Sequence, residues 1–586
     1  MLLGNTYTIP NIVNLPGQSG GPSFNPDAFV LKIKTDQPGG TTNNDQFELR
    51  PRLAAGDSNF DYTIDWGDGT IENINVAAAQ THTYASPGEY QIEITGLFAQ
   101  LGYQNQGDAK KVMELVNWGN VGWQYMVYSF WGCTNMIVTA EDIENVQSAQ
   151  SWFSTFDNCQ SITNIPRLKD LITSNVTRMT SSFARCDNLG PSLDLTGWDL
   201  TNCQYFESVF LDCDGLTSID VTGWRFPSTA FRTFANAFMR CRNLTTITGI
   251  EYTLSNLNSL VAGGVSVSSA FREVACTSLD LSNWDWDKID LMGTMFYQCT
   301  EMETLDLTGA KPTSLSQTFN GCNSLTTVTG MDNWDVSSVT AFNYLFQYCH
   351  SLVADLSLWD TSSGISFNNV FNTVWRQDEI SNITGYGSWD MSSAAGTLNG
   401  ANGIAQMFYQ NREIFATDGF PSSWNLSSLV TAKNFMRRSS FGETSITVNW
   451  TTTSALENTA LMFAEINYPV FQTACSSITF GTNFNVSGVT NASYMFYNNG
   501  NFSLTFPSGT DWGSVTNFTA FLGNTTANGT TLSSSQYNAL LIDIEASNQN
   551  NNILFDAPNC VATGAGVTAR TALINDHSWT INDNTP

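Results

Sequence analysis

The residues that could do chemistry recur along this chain at fixed spacing. Short segments such as LDLTGWD, IDVTGWR and LDLSNWD each carry an aspartate, followed two residues later by Thr or Ser. If the segments are neighbouring strands, their aspartates form a column on one outer face: Asp194, Asp220, Asp280, Asp306 and Asp355. Stacked carboxylates repel one another unless hydrogen bonds, cations or a partner compensate for the charge. Two alternatives stay open: each aspartate caps the backbone of a neighbouring turn, or the column is an acidic ribbon for a carbohydrate, a cation or a basic protein patch.

A second pair of carboxylates stands in the segment DWGDG. Asp65 and Asp68 flank a glycine-rich turn, and carboxylates so placed can bind Ca²⁺. The segment lacks the acids at alternate positions of a helix–loop–helix calcium site, and a hairpin turn explains the same residues. A calcium ion is the one cofactor that the sequence suggests.

Cysteine is the third candidate, because the unit Phe-x-x-Cys repeats throughout the first half of the chain. The chain has 12 Cys and 3 His, and no two cysteines form a C-x-x-C pair. One cysteine per repeat on an inner face predicts small buried free thiols rather than disulfides or a zinc site. His82, His350 and His577 combine with no serine or cysteine into a recognisable catalytic group, so we predict a protein without enzymatic activity.

A tryptophan also recurs, just after the aspartate segment: Trp198, Trp224, Trp284, Trp334, Trp359, Trp389, Trp424 and Trp450. Such a column could stack against sugars, but a packing corner at each repeat explains it more simply.

These columns require a repeating scaffold to position them. Successive cysteines lie roughly 23 to 28 residues apart, which is the range of leucine-rich repeats. Within one repeat, LDL alternates as a short strand does. In DVSSVTAFNYLFQYC, the apolar residues follow at helical spacing behind an Asp that could cap a helix. The sequence predicts an α/β solenoid of roughly fifteen turns, with one short parallel strand and one short helix per turn.

The N-terminal part has a different pattern. Residues 1–25 are rich in Pro, Gly and Asn and predict an extended arm. Residues 26–105 hold short alternating segments, such as Phe29, Leu31 and Ile33, and a hairpin around DWGDG, which predict a small all-β sandwich. The solenoid is predicted over residues 106–530 and a capping segment over residues 531–586.

Charge and hydropathy exclude several classes of partner. The formal net charge is -29, which disfavours nucleic acids and anionic membrane surfaces, since both attract basic patches. No segment approaches the roughly 18 apolar residues of a membrane span. The first residues also lack the features of a secretory signal, which predicts a route to the outside other than general secretion.

Two resemblances follow from these motifs. WGDGT together with HTYASPGEYQIEITG resembles a PKD-type immunoglobulin-like domain, through residues that include Trp66, Asp68, His82 and Tyr90. The repeats, with the closing segment from Tyr537 to Ile581, resemble BspA-like leucine-rich repeat surface proteins. These resemblances imply a sandwich used as a spacer and a solenoid that is used for adhesion.

The function expected from this combination is structural. We predict a virion surface component, such as a phage tail fibre, head fibre or decoration protein, that presents the repeats for host recognition. The alternative is a bacterial cell-surface adhesin that binds proteins or glycans. The expected partners are other virion proteins at the N-terminal region and a host-surface glycan or protein, with oligomerisation in the assembly.

Overall fold

The computed structural model describes residues 24–52, 60–226, 230–257, 264–373, 380, 382–395, 403–411, 414–415, 419–439, 443–466 and 475–586. The N-terminal strands are β1 (Phe29–Lys34), β2 (Gln46–Leu49), β3 (Asp61–Asp65), β4 (Ile71–Ile74), β5 (Gln80–Thr83), β6 (Glu89–Leu97), β7 (Val112–Asn117) and β8 (Ile137–Val138). One sheet has the order β4-β3-β6-β1-β7-β8, and β2 pairs with β5 in a second sheet.

The predicted hairpin around DWGDG is confirmed. Strands β3 and β4 pair in antiparallel register from Tyr62 opposite Ile74 to Asp65 opposite Ile71. Tyr62, Ile64 and Trp66 are buried on one face, as their alternation predicts.

The sheet of the N-terminal strands continues into the first repeats. Strand β1 pairs antiparallel with both β6 and β7, and β7 then pairs parallel with β8. The ring of Phe29 contacts that of Trp123 edge-on at 5.0 Å between centroids. The N-terminal strands and the repeats therefore share one hydrophobic core.

Short parallel strands follow through the repeats. They are β9 (Ser192–Asp194), β10 (Ser218–Asp220), β11 (Thr246–Thr248), β12 (Val265–Ser266), β13 (Ser278–Asp280), β14 (Ile289–Leu291), β15 (Thr304–Asp306), β16 (Thr327–Thr329), β17 (Ala354–Asp355), β18 (Ile383–Thr384), β19 (Ser445–Val448), β20 (Ser477–Phe480) and β21 (Ser503–Thr505). Leu193, Ile219 and Ile247 stand opposite one another in β9, β10 and β11. The predicted parallel strand per turn is confirmed in these repeats.

The prediction of a short helix in each turn is wrong in residues 335–349, the segment from which it was made. The backbone there makes two consecutive β-turns, in which Leu345 N–H donates to the Phe342 carbonyl and Cys349 N–H donates to that of Phe346. Tyr344 and Tyr348, the third residue of each turn, have positive φ (57° and 64°), as a type II turn requires. Two four-residue turns place apolar residues inward at nearly the spacing of a helix, which is why the pattern suggested one.

These turns carry a second parallel ladder. Alternate N–H groups donate to the next repeat: Phe342 to the Ser366 carbonyl, Tyr344 to Asn368 and Phe346 to Val370. An α-helix would use those groups internally. Each turn is thus joined to its neighbours twice, through its strand and through its β-turns.

Phenylalanines stack along this second ladder. The Phe319 ring lies 5.9 Å from Phe296 and 6.1 Å from Phe346, with interplanar angles of 3° and 4°. The same stacking joins Phe183 to Phe156 and Phe210. The phenylalanines that recur in the sequence thus form one stacked column at the centre of the core.

The C-terminal segment covers the last repeat. It contains α1 (Ser534–Ser547), β22 (Leu554–Ala557), α2 (Ala565–His577) and β23 (Thr580–Asp583). Ser533 and Gln536 form a capping box at the start of α1, and Phe555 bridges to Phe518 of the last repeat. Among the residues described, no helix has the length and apolar character needed to cross a membrane.

Candidate functional site

The strands bring part of the predicted acidic ribbon together. Asp194 stands directly opposite Asp220, and Asp280 stands directly opposite Asp306, in parallel register. The next positions in each sheet are threonines: Thr248 follows Asp220 and Thr329 follows Asp306, while Asp355 faces Thr384. The ribbon is therefore two aspartate pairs and one single aspartate, separated by threonines.

One oxygen of each ribbon carboxylate is used by its own turn. Asp306 Oδ1 accepts from the N–H of Thr308 (3.0 Å) and from its hydroxyl (2.7 Å). Asp280 does the same with Ser282, at 2.9 and 2.6 Å. The sequence suggested a cap on the backbone of a neighbouring turn; the carboxylate instead closes the aspartate's own turn. This bond explains the D-x-T/S pattern of the segments.

The other carboxylate oxygen is exposed. Asp194 Oδ2 lies 3.5 Å from the Lys169 Nζ. Asp220, Asp280, Asp306 and Asp355 form no ion pair within the described ranges; Asp280 and Asp355 are exposed, and Asp220 and Asp306 are partly exposed. The hydroxyl and N–H of Thr196 lower the pKa of Asp194, which keeps it charged near neutral pH.

A second acidic row was not recognised from the sequence. Six of the eight column tryptophans are followed by Asp or Asn, and in five of these repeats that side chain also accepts from the N–H two residues later. Asp335 accepts from Ser337 (3.1 Å), Asp360 from Ser362 (3.0 Å) and Asn425 from Ser427 (3.2 Å). The signal was the W-D/N-x-S spacing, which had been interpreted as the start of a helix.

The carboxylates of DWGDG are engaged in the hairpin. Asp65 Oδ1 accepts from Gly67 N–H (2.9 Å), and Asp68 Oδ1 accepts from Thr70 N–H (2.9 Å). Asp68 Oδ2 lies 2.9 Å from His82 Nε2. Burial raises the pKa of Asp68, but the hydrogen bonds from His82 and Thr70 outweigh it and leave that pKa below its usual value.

In the residues that the structure describes, no three or more His, Cys, Asp or Glu side chains converge on one point. The partners of Asp65 and Asp68 in their turn are backbone N–H groups and His82.

The cysteines are all buried free thiols, as predicted. In the regular repeats the thiol donates to the carbonyl oxygen of the phenylalanine one turn earlier: Cys186 to Phe156 at 3.1 Å and Cys213 to Phe183 at 3.0 Å. Burial raises the pKa of Cys299 to about 12. These thiols are accordingly neutral hydrogen-bond donors and weak nucleophiles.

The tryptophan column also belongs to the core. Trp198 and Trp224 stack at 5.7 Å with an interplanar angle of 8°, and both are buried. Their indole N–H groups donate to carbonyls of the preceding turn, Trp198 to Leu168 and Trp224 to Leu195, each at 3.0 Å. A ring enclosed in this way has no free face for a sugar, so the packing corner is the correct alternative.

Comparison with known proteins gives one family. The model of the family described as "Mycoplasma protein of unknown function, DUF285" matches residues 116–250, 313–399 and 402–535, together more than half of the chain. A comparison with curated proteins finds no match.

Two of the solved structures that match are leucine-rich repeat proteins of low sequence identity. A leucine-rich repeat protein from Bacteroides ovatus is 16% identical, with 54% of this chain and 88% of that chain covered and a TM-score of 0.26. A leucine-rich cell surface protein from Faecalibacterium prausnitzii is also 16% identical, with 51% and 93% covered and a TM-score of 0.21.

Proposed function

The chain belongs to the DUF285 family, and we propose that it is a non-enzymatic repeat scaffold exposed at a biological surface, where it serves adhesion or recognition. One observation carries the proposal. The recurring Cys, Phe and Trp side chains, which could otherwise do chemistry, are used inside the core to join one turn to the next. What varies from turn to turn is the polar exterior, which is the part that a partner meets.

The ribbon aspartates are the first recognition surface in this proposal. Their open oxygens form a regular acidic face beside Thr and Ser hydroxyls, suited to a basic protein patch, a cation or a glycan. The N-terminal end is the proposed attachment to the assembly, and the capped array extends away from it.

We place the scaffold on a virion, as a fibre or decoration protein, and take a bacterial cell-surface adhesin as the alternative. Support for either placement comes from the resemblance of the repeats to surface proteins. Antibodies raised against the array should label intact particles or intact cells by electron microscopy. Labelling only after the particle or cell is broken would contradict surface exposure, and the labelled object decides between virion and cell.

A further inference from the structure

A strip of aromatic and arginine side chains crosses the first turns on the face of the β-turn ladder. We call Arg52, Tyr128, Phe153, Arg178 and Tyr205 the arginine–aromatic strip. The Arg52 guanidinium lies 4.6 Å from the Tyr128 ring centroid, and Tyr128 lies 4.9 Å from Phe153. The strip is continuous from the N-terminal module to the fourth turn of the array.

Arg178 is held between two of these rings. Its Cζ lies 4.2 Å from the Phe153 centroid and 5.2 Å from that of Tyr205, two residues that flank it in neighbouring turns. Main-chain bridges set this order, since Ser151, Arg178 and Tyr205 pair in parallel across the turns. A guanidinium that is already held by two ring faces has little conformational freedom left to lose when a ligand binds.

The donors of Arg178 are available. Its Nε donates weakly to Thr180 Oγ1 at 3.4 Å, and its two terminal nitrogens have no hydrogen-bond or ion-pair partner in the part of the chain that is described. Other arginines of the array differ: Arg185 pairs with Asp157 and Arg240 with Asp212, each at 2.7 Å. Arg178 therefore presents two unpaired NH2 groups, with four N–H donors, at the surface of a protein with a net charge of -29.

Exposed ring surface surrounds these donors. Tyr205 is 37% exposed, and Tyr128 and Phe153 are partly exposed. Tyr128 also contacts Trp131 at 5.4 Å. From Tyr128 to Tyr205 the strip covers three steps between turns, about 15 Å at the usual strand spacing.

We propose that the arginine–aromatic strip binds an acidic oligosaccharide, with sugar faces on the exposed rings and a carboxylate on Arg178. The guanidinium fork matches a carboxylate in a bidentate geometry, and the flat rings match the apolar faces of sugars. A nucleic acid also combines anions with stacking, but its dense phosphates are disfavoured by the acidic molecule as a whole. This inference rests on the proposed recognition function and names the partner class.

Trigalacturonate is a suitable probe, and its fully methyl-esterified form is the neutral counterpart. In isothermal titration with the full chain we expect trigalacturonate to bind. The ester should bind at least about tenfold more weakly. Arg178→Ala should reduce trigalacturonate affinity by about tenfold or more, and Arg178→Lys should recover only part of it, because Lys keeps the charge without the planar fork.

The matched control is Arg225→Ala. Arg225 also lies over a tyrosine, 5.4 Å from the Tyr252 centroid, but outside the strip, so this change should leave binding unaltered. Thermal unfolding of each variant checks that the fold is retained. Tyr205→Ala removes a partly exposed ring without changing the charge. It should therefore also weaken the binding of trigalacturonate.

Several results would overturn the inference: no binding of trigalacturonate, equal binding of the ester, or equal binding of hexaglutamate or an oligothymidylate through Arg178. Its failure is distinct from failure of the proposed function. A chain that antibodies reach on intact particles or cells, but that ignores trigalacturonate, keeps the scaffold role and loses this ligand.

Discussion

The thiol of Cys349 donates a hydrogen bond to the main-chain carbonyl oxygen of Phe319, 3.0 Å away and one turn back in the array. That oxygen also accepts from the N–H of Cys322 in its own turn. The bond persists in three repeats that lack the cysteine. Asn411, Ser439 and Asn499 occupy the equivalent position and donate to Phe371, Phe408 and Phe463 respectively. Most repeats therefore place a buried donor at this position, and cysteine is one of several residues that supply it; Ile466, three residues after Phe463, is an exception.

We expect Cys349→Ala to destabilise the array by about 2 kcal/mol, because it removes a donor and leaves a small cavity. Cys349→Ser should cost about 1 kcal/mol or less, since a hydroxyl already serves this role at Ser439. Hydrogen exchange followed by mass spectrometry over residues 319–349 measures both. Equal costs for the two variants would show that the cavity alone matters and that the hydrogen bond does not.

The left-handed residues of the β-turns give a second prediction. Asn498 has φ 58° at the third position of its turn, a conformation that glycine adopts freely and β-branched residues resist. Asn498→Gly should keep or raise the thermal stability, and Asn498→Val should lower the free energy of unfolding by about 1 to 2 kcal/mol. Gln298 holds the equivalent position (φ 60°). The same pair of changes there repeats the test and should give the same result. A valine tolerated at both positions would contradict the turn assignment.

The sequence was enough to predict the order of the core. Period-two alternation identified strands such as that of Leu193, and the repeat of Phe and Cys identified what each turn buries. The spacing of the repeat was enough to predict which residues are buried, because burial depends on which residues recur together and not on the local backbone conformation.

The backbone of the Phe-x-x-Cys segment could not be predicted in the same way. A helix and two consecutive β-turns bury residues at similar spacing, and the difference lies in where the N–H groups go. Tyr344 N–H donates to Asn368 in the next turn, a partner that no local pattern reveals. The polar residues at left-handed positions were the available signal, but only a few per cent of non-glycine residues adopt that conformation.

The candidate site was predicted in part for a related reason. The aspartates of the ribbon are set by strand register, which the repeat gives directly. The arginine–aromatic strip escaped detection because Tyr128, Phe153 and Arg178 occupy different positions of their repeats. They meet only through the β-turn ladder.

A third prediction concerns the charge of the ribbon. Asp280 and Asp306 are directly opposite in parallel strands, and like charges so placed repel. Asp306→Asn keeps the Oδ1 acceptor for Thr308 and removes one charge. It should therefore raise the free energy of unfolding by about 0.5 kcal/mol in low salt, with the gain shrinking as salt screens the pair. Asp306→Ala, which loses the acceptor as well, is the comparison and should be destabilising. A gain that is independent of salt would show that repulsion is not its source.

The last prediction follows from the burial of Asp157. Its side chain is 4% exposed and lies beside Arg185, and burial, only partly offset by that arginine, raises its pKa from 3.8 to about 6. Between about pH 4 and pH 6 the folded chain therefore binds a proton at Asp157 that the unfolded chain has released. The stability that this shift contributes is present below the unfolded pKa and is lost as the pH rises through the folded one.

Asp157→Asn imitates the neutral form and should escape this loss. The free energy of unfolding of the variant relative to wild type should rise by up to about 3 kcal/mol from pH 4 to pH 7. Urea unfolding followed by tryptophan fluorescence at a series of pH values measures the difference. Arg185→Gln, which removes the opposing positive charge, should extend the loss to higher pH. A difference between wild type and Asp157→Asn that stays constant across this range would mean that Asp157 is already ionised at the lower end of it, with Arg185 outweighing burial.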